Sequence, residues 1–125
     1  MPVIEFRNVT KMYGHSAACK GVNLAIEEGE FVSVVGQSGA GKTTLVKLLI
    51  AEEHVTEGRI VVADWDITHI RPREVPILRQ QIGVVFQDFK LLDKKTVYEN
   101  VAFALEVSGA TNDRIKSVVP QLLKI

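Results

Sequence analysis

Gly36-Gln37-Ser38-Gly39-Ala40-Gly41-Lys42-Thr43 follows the apolar run Phe31-Val32-Ser33-Val34-Val35 and precedes a stretch in which Leu45, Leu48 and Leu49 recur at helical spacing. A short apolar run without alternation is expected of a strand covered on both faces, so the order is buried strand, glycine-rich loop, helix. The octet fits G-x-x-x-x-G-K-[ST] in the context that this motif needs. Gly36, Gly39 and Gly41 permit backbone angles and close approaches that a Cβ would forbid, so successive N–H groups can converge on phosphate oxygens. Lys42 stands at a helix N-terminus, where unpaired N–H groups and the helix dipole already favour anions. Its ammonium is expected to reach the β and γ phosphates, and the Thr43 hydroxyl is expected to ligate Mg²⁺. The motif implies a nucleoside triphosphate, most simply ATP with Mg²⁺, held by Gly36, Gln37, Ser38, Gly39, Ala40, Gly41, Lys42, Thr43 and the adjoining Thr44.

Outward from this loop the chain reads as α/β. Val22, Leu24 and Ile26 alternate with polar or small neighbours, and Ile4 with Phe6 suggests the same period at the start, so antiparallel strands are expected there. Arg59–Ala63 reads as a further strand, Arg73–Gln80 as a short helix, and Ile82–Phe86 as a second buried strand ending at Gln87. Thr96 and Glu99 form a T-x-x-E capping box opening a helix that Gly109 should stop. Ile115, Val118, Val119 and Leu122 continue a helical stripe, which Pro120 is expected to kink or end by removing an N–H donor.

The 125 residues allow one domain at most, and an apolar fraction of 46% suffices for a core. Lys plus Arg equals Asp plus Glu at 15 each, so no excess positive field is available for nucleic acid. A single cysteine, Cys19, offers neither an internal disulfide nor a zinc spacing with His15, His54 or His69. A cytoplasmic setting is expected. No stretch approaches the ~18 apolar residues of a membrane span, so no direct membrane insertion is expected, and membrane association would run through a partner.

Read together with Lys11-Met12-Tyr13-Gly14 upstream and Ile82-Gly83-Val84-Val85-Phe86-Gln87-Asp88 downstream, the phosphate loop makes the chain resemble an ABC-type ATPase. The resemblance implies a P-loop nucleotide-binding fold, here its N-terminal portion, with an antiparallel β subdomain and an incomplete parallel core over residues 1–125. It implies that Tyr13 stacks on adenine and that Gln87 senses Mg²⁺ or the γ phosphate and links it to a membrane partner. The phrases REVPILRQQIGVVFQDFKLL and TVYENVAFALEVSGA are similar to the family's bacterial cell-division branch. That branch implies a head-to-tail homodimer of the full-length ATPase, docked on an integral membrane subunit at the inner face of the plasma membrane. It also implies control of peptidoglycan hydrolases outside the cell. Phe89 to Leu92 is where the partner's coupling helix would pack.

The family's LSGGQ signature, its Walker B aspartate and glutamate, and its switch histidine do not occur in this sequence. Leu91-Leu92-Asp93-Lys94 reads as loop, since Lys94 stands where a glutamate would be needed. The chain is expected to supply Lys42, Thr43 and Gln87 but no general base, so binding should survive where turnover does not. Without the strands that lie between the P-loop strand and the Q-loop strand in the family's sheet, buried-type edges would stay unpaired. Other readings are an ATPase of a related exporter, such as one for lipoprotein release, or a non-catalytic nucleotide-binding module. A different P-loop enzyme, such as a GTPase or small-molecule kinase, is disfavoured; no N-K-x-D guanine-specificity element occurs, and Asn100-Val101 does not resemble one.

Overall fold

A computed structural model of the chain describes residues 1–37, 41–88 and 90–125, which fall into two units, Met1–Arg79 and Gln80–Ile125. The first is built on strands β1 (Pro2–Tyr13), β2 (Ser16–Glu27), β3 (Glu57–Val62) and β4 (Trp65–Asp66), which form one antiparallel sheet in the order β2-β1-β3-β4. On β2 the expected alternation holds: Val22, Leu24 and Ile26 are half-buried while Asn23, Ala25 and Glu27 are exposed. Phe6 on β1 stands opposite Leu24 on one side and Ile60 on the other, and Phe6, Val9 and Ile60 are buried. Helix α1 (Lys42–Leu49) buries Leu48, and helix α2 (Val75–Gln80), entered through a 3₁₀ turn at Pro72–Glu74, buries Leu78.

Two hairpin turns and a bulge at Asn8 help to fix the register. Gly14 at φ 62 lies in the two-residue loop that returns β1 to β2, with Tyr13 opposite Ser16. Ala63 and Asp64 both adopt positive φ between the paired residues Val62 and Trp65, the geometry of a tight primed turn. Asp64 therefore occupies a left-handed position that Asp tolerates better than most residues. In mid-strand, Asn8 adopts φ 50 and the pairing of β1 with both neighbours shifts there. The side chains of Asn8 and Asn23 cover that bulge: Asn23 Nδ2 donates to Asn8 Oδ1 at 2.9 Å, and Asn23 Oδ1 accepts from the Asn8 N–H at 3.0 Å.

The second unit holds α3 (Val97–Val107) and α4 (Asn112–Leu123), whose core is Ala102, Ile115 and Val119, with Val101, Leu105 and Ala110 packed against it. The capping box forms as expected: Thr96 Oγ1 accepts from the Glu99 N–H at 3.1 Å, and the Glu99 carboxylate accepts from the Thr96 N–H at 3.1 Å. Gly109 leaves the helix at φ 85. Asn100 organises the segment before α3, accepting from the Leu92 N–H at 2.8 Å and donating to the carbonyls of Leu92 and Thr96 at 3.2 and 2.8 Å. Residues 91–95 carry no regular structure, in line with their reading as loop.

Two expectations fail. Neither Phe31–Val35 nor Ile82–Phe86 belongs to a strand, and Phe31 is 91% and Val85 98% exposed. A parallel strand draws its hydrogen-bond partners from segments far away in sequence. Among the described residues the only sheet is that of β1–β4, so both runs have strand composition but no neighbour. Pro120, expected to kink or end its helix, does not end it but lies inside α4. The carbonyl left without its donor is that of Lys116, and both Lys116 and Pro120 are exposed, so water can complete that bond.

Candidate functional site

The glycine-rich loop ends at Gly41, which adopts φ 88 and ψ 8 as the N-cap of α1. This left-handed angle favours glycine, and the surroundings demand it as well. A Cβ on Gly41 would lie 2.0 Å from the Ala18 carbonyl oxygen, closer than any real contact. Ala18 is itself unusual. Lys11 stands opposite Cys19 and Met12 opposite Ala17, so Ala18 is the extra residue of a β-bulge on β2. A bulge takes one residue out of the ladder and re-aims it, and here the unladdered carbonyl is the one that meets Gly41.

Helix α1 then begins without a side-chain cap and with no acidic residue in its first turn. Its leading N–H groups have no intrahelical acceptor, and their partial positive charge is not offset by a carboxylate. The Lys42 ammonium folds back and donates to the Gly36 carbonyl oxygen, so the cation closes the loop on itself. Thr43 is exposed at the head of the helix, while Thr44 is buried at 8% and faces inward. Gln37 is exposed. Ser38, Gly39 and Ala40, also expected at the site, lie outside the described residues, as does Phe89.

Tyr13 closes β1, opposite Ser16, two residues along β2 from the bulged Ala18, about 7 Å at strand spacing. The first unit therefore brings the aromatic ring and the loop-closing glycine to the same end of one hairpin. Tyr13 is 45% exposed, and Lys11 Nζ lies 5.3 Å from its ring centroid. Gln87 belongs to the second unit, in a turn after the apolar run, and is exposed. That turn is tightened by the Lys90 N–H, which donates to the Asp88 carbonyl at 2.8 Å with Lys90 at φ 49.

The residues present fit a bound polyphosphate. An uncapped helix start, an ammonium held at the mouth of the loop, an exposed hydroxyl beside it and a glycine packed too tightly for any Cβ are the donor set that such an anion needs. Lys42, Thr43 and the α1 N–H groups would hold the phosphates, and Mg²⁺, when bound, neutralises charge on their oxygens. Sequence reasoning missed Ala18 and the contact of Lys11 with the Tyr13 ring. Ala18 is chemically silent, and its part depends on a register shift that no residue type announces. Lys11 stood within the quoted Lys11–Gly14 segment without a role.

Comparison with known proteins agrees with this geometry. A family model described as "ABC transporter" matches residues 19–124. The chain is 50% identical to the cell division ATP-binding protein FtsE of Mycobacterium tuberculosis over 124 residues, 98% of this chain and 54% of that protein. It is 42% identical to the methionine import ATP-binding protein MetN of Helicobacter pylori, over 98% of this chain and 38% of that protein. Among solved structures, a dimeric ATP-binding cassette in a post-hydrolysis state bound to ADP and Pi superposes with a TM-score of 0.86 at 34% identity, over 97% of this chain and 56% of that one. The chain thus spans about half the length of the curated FtsE proteins it matches. With the loop-closing Gly41 seated on the bulge of the β1–β2 hairpin and the family model covering most of the sequence, the chain belongs to the ABC transporter family and carries the fold of the N-terminal part of its nucleotide-binding cassette.

Proposed function

We propose that this chain binds MgATP along Gly36 to Thr43 and forms the ATP-binding part of an FtsE-like ABC subunit that docks on an FtsX-like integral membrane protein. In this reading the full-length ATPase dimerises, hydrolyses ATP at the inner face of the bacterial plasma membrane, and uses the cycle to control peptidoglycan hydrolases in cell division. The observation that carries nucleotide binding is the closed loop itself: Gly41 pressed on the Ala18 carbonyl, α1 starting uncapped, and Lys42 held against Gly36. The 50% identity to FtsE supports the cell-division assignment. Tyr13 is assigned to the adenine, Thr43 to the metal, and the exposed Gln87 amide to sensing the metal or the attacking water. Turnover is assigned to the complete cassette, since Lys42, Thr43 and Gln87 include no general base.

A related ABC transporter subunit is the second reading, favoured by the 42% identity to MetN. Nucleotide binding is common to both. Isothermal titration of the chain with MgATP should give a saturable isotherm, and Lys42→Ala should weaken it at least about tenfold, since a charge-assisted contact to phosphate contributes on the order of 1.5–3 kcal/mol. Equal affinity in the variant would overturn the assignment of the loop. Co-purification of the full-length protein with its membrane subunit would then separate the two readings by the partner recovered.

A further inference from the structure

Lys11 and Tyr13 are two residues apart on β1 and so share a face of the strand. Lys11 Nζ stands over the Tyr13 ring, 5.3 Å from its centroid, and 3.4 Å from the Glu53 carboxylate. The Lys11 side chain is only 15% exposed, and that of Glu53 30%. Glu53 lies in the turn after α1, where its N–H donates to the Lys47 carbonyl at 3.2 Å. The same turn is stitched to β1 on either side of Lys11: the Thr56 N–H donates to the Thr10 carbonyl at 2.8 Å, and the Met12 N–H donates to Thr56 Oγ1 at 2.9 Å. The turn after the phosphate-loop helix is thereby tied, through Glu53 and Lys11, to the Tyr13 ring.

We infer that Lys11, held by Glu53, is a positioning residue for Tyr13 that fixes the ring on which a purine base stacks. This rests on the nucleotide-binding reading and adds to it the parts that orient the base. A long cation free to swing would lose its place over the ring; the ion pair and its partial burial keep it there. With one face covered by the ammonium, the ring presents the remainder of its surface, 45% of the residue, as a platform of fixed orientation.

The test compares two magnesium-complexed probes, ATP and inorganic tripolyphosphate, by competition against a fluorescent nucleotide on the wild-type chain and the variants Lys11→Ala, Lys11→Arg and Glu53→Gln. Lys11→Ala should weaken MgATP about fivefold and tripolyphosphate less than about twofold, because only ATP carries a base to stack. Lys11→Arg, which keeps a cation over the ring, should restore most of the loss, and Glu53→Gln should give part of it. Equal losses for both probes would mean a general charge or folding effect and overturn the inference, as would no loss at all. Should the wild-type chain bind neither probe, the phosphate-loop reading itself fails and takes this one with it; should it bind both while Lys11→Ala changes nothing, only the positioning role falls.

Discussion

The antiparallel sheet of the first unit and the two apolar runs Phe31–Val35 and Ile82–Phe86 are made of similar residues, yet they have opposite fates. β1 and β2 are joined by a two-residue turn and β3 and β4 by another, so most of that sheet's pairing is between chain neighbours. The apolar runs have no such neighbour. Val85 is 98% exposed although its flanks read as densely apolar as any residue on β1. β propensity therefore describes what a side chain tolerates, while hydrogen-bond partners decide whether a strand exists. In an antiparallel hairpin the turn delivers the partner; in a parallel sheet it comes from a distant segment.

Gly58 gives the sharpest way to break this contrast. It adopts φ 94, and a Cβ there would meet the Asn8 carbonyl oxygen at 2.4 Å and that of Arg7 at 2.6 Å. The clash falls on backbone at the bulge where β1 shifts register, so no side chain can swing aside. Gly58→Ala should cost about 3 kcal/mol or more, combining left-handed strain with displacement of a central strand. Urea unfolding followed by circular dichroism measures it. A loss below about 1 kcal/mol would mean that the β1–β3 pairing is not what holds this unit together.

Much of the candidate site was legible because its chemistry sits in contiguous residues. Lys42 and Thr43 follow their glycine in sequence, and the context of a glycine loop feeding a helix could be read from Leu45 and Leu48. The capping box at Thr96 and Glu99 was legible for the same reason, since both partners lie within one turn. Ala18 was not, because its part in seating Gly41 depends on the count of residues on two strands rather than on its own side chain. The two apolar runs were misjudged as strands because an apolar tetrad reports burial preference and says nothing of its neighbour. Pro120 does not end α4, because a missing N–H costs less where the residue bearing the orphaned carbonyl, Lys116, is exposed.

Asp66 offers a smaller effect that is local to the antiparallel sheet. The Thr68 hydroxyl and N–H, and then the Arg59 guanidinium, hold its carboxyl down at about 2, below the ordinary 3.8. Its N–H contact from Thr68 is 3.0 Å, and Arg59 approaches its other oxygen at 2.5 Å. Because the folded value is the depressed one, the stabilisation is complete above the ordinary value of 3.8 and is lost as pH falls through about 2. The Asp66 side chain is 38% exposed and Arg59 61%, so solvent screens the pair and Asp66→Asn should cost only about 1 kcal/mol at neutral pH. The difference in stability between wild type and variant should shrink as the pH is lowered through 3 toward 2. A difference that stays constant over that range would assign the loss to packing.

Val85→Ser should have the smallest effect and therefore tests the other side of the contrast. A valine 98% exposed has almost no apolar surface to lose, and serine can occupy the same backbone without a new buried group to satisfy. The expected change is under about 0.5 kcal/mol. A valine packed between two layers would instead lose its transfer free energy and leave a void, on the order of 2 kcal/mol or more. Gly83→Ala is a companion, since a Cβ there meets nothing within 4 Å. If both substitutions are silent in urea unfolding while Gly58→Ala is severe, pairing rather than composition separates the two regions. If Val85→Ser instead costs as much as a core truncation, the run is covered in solution and the contrast falls.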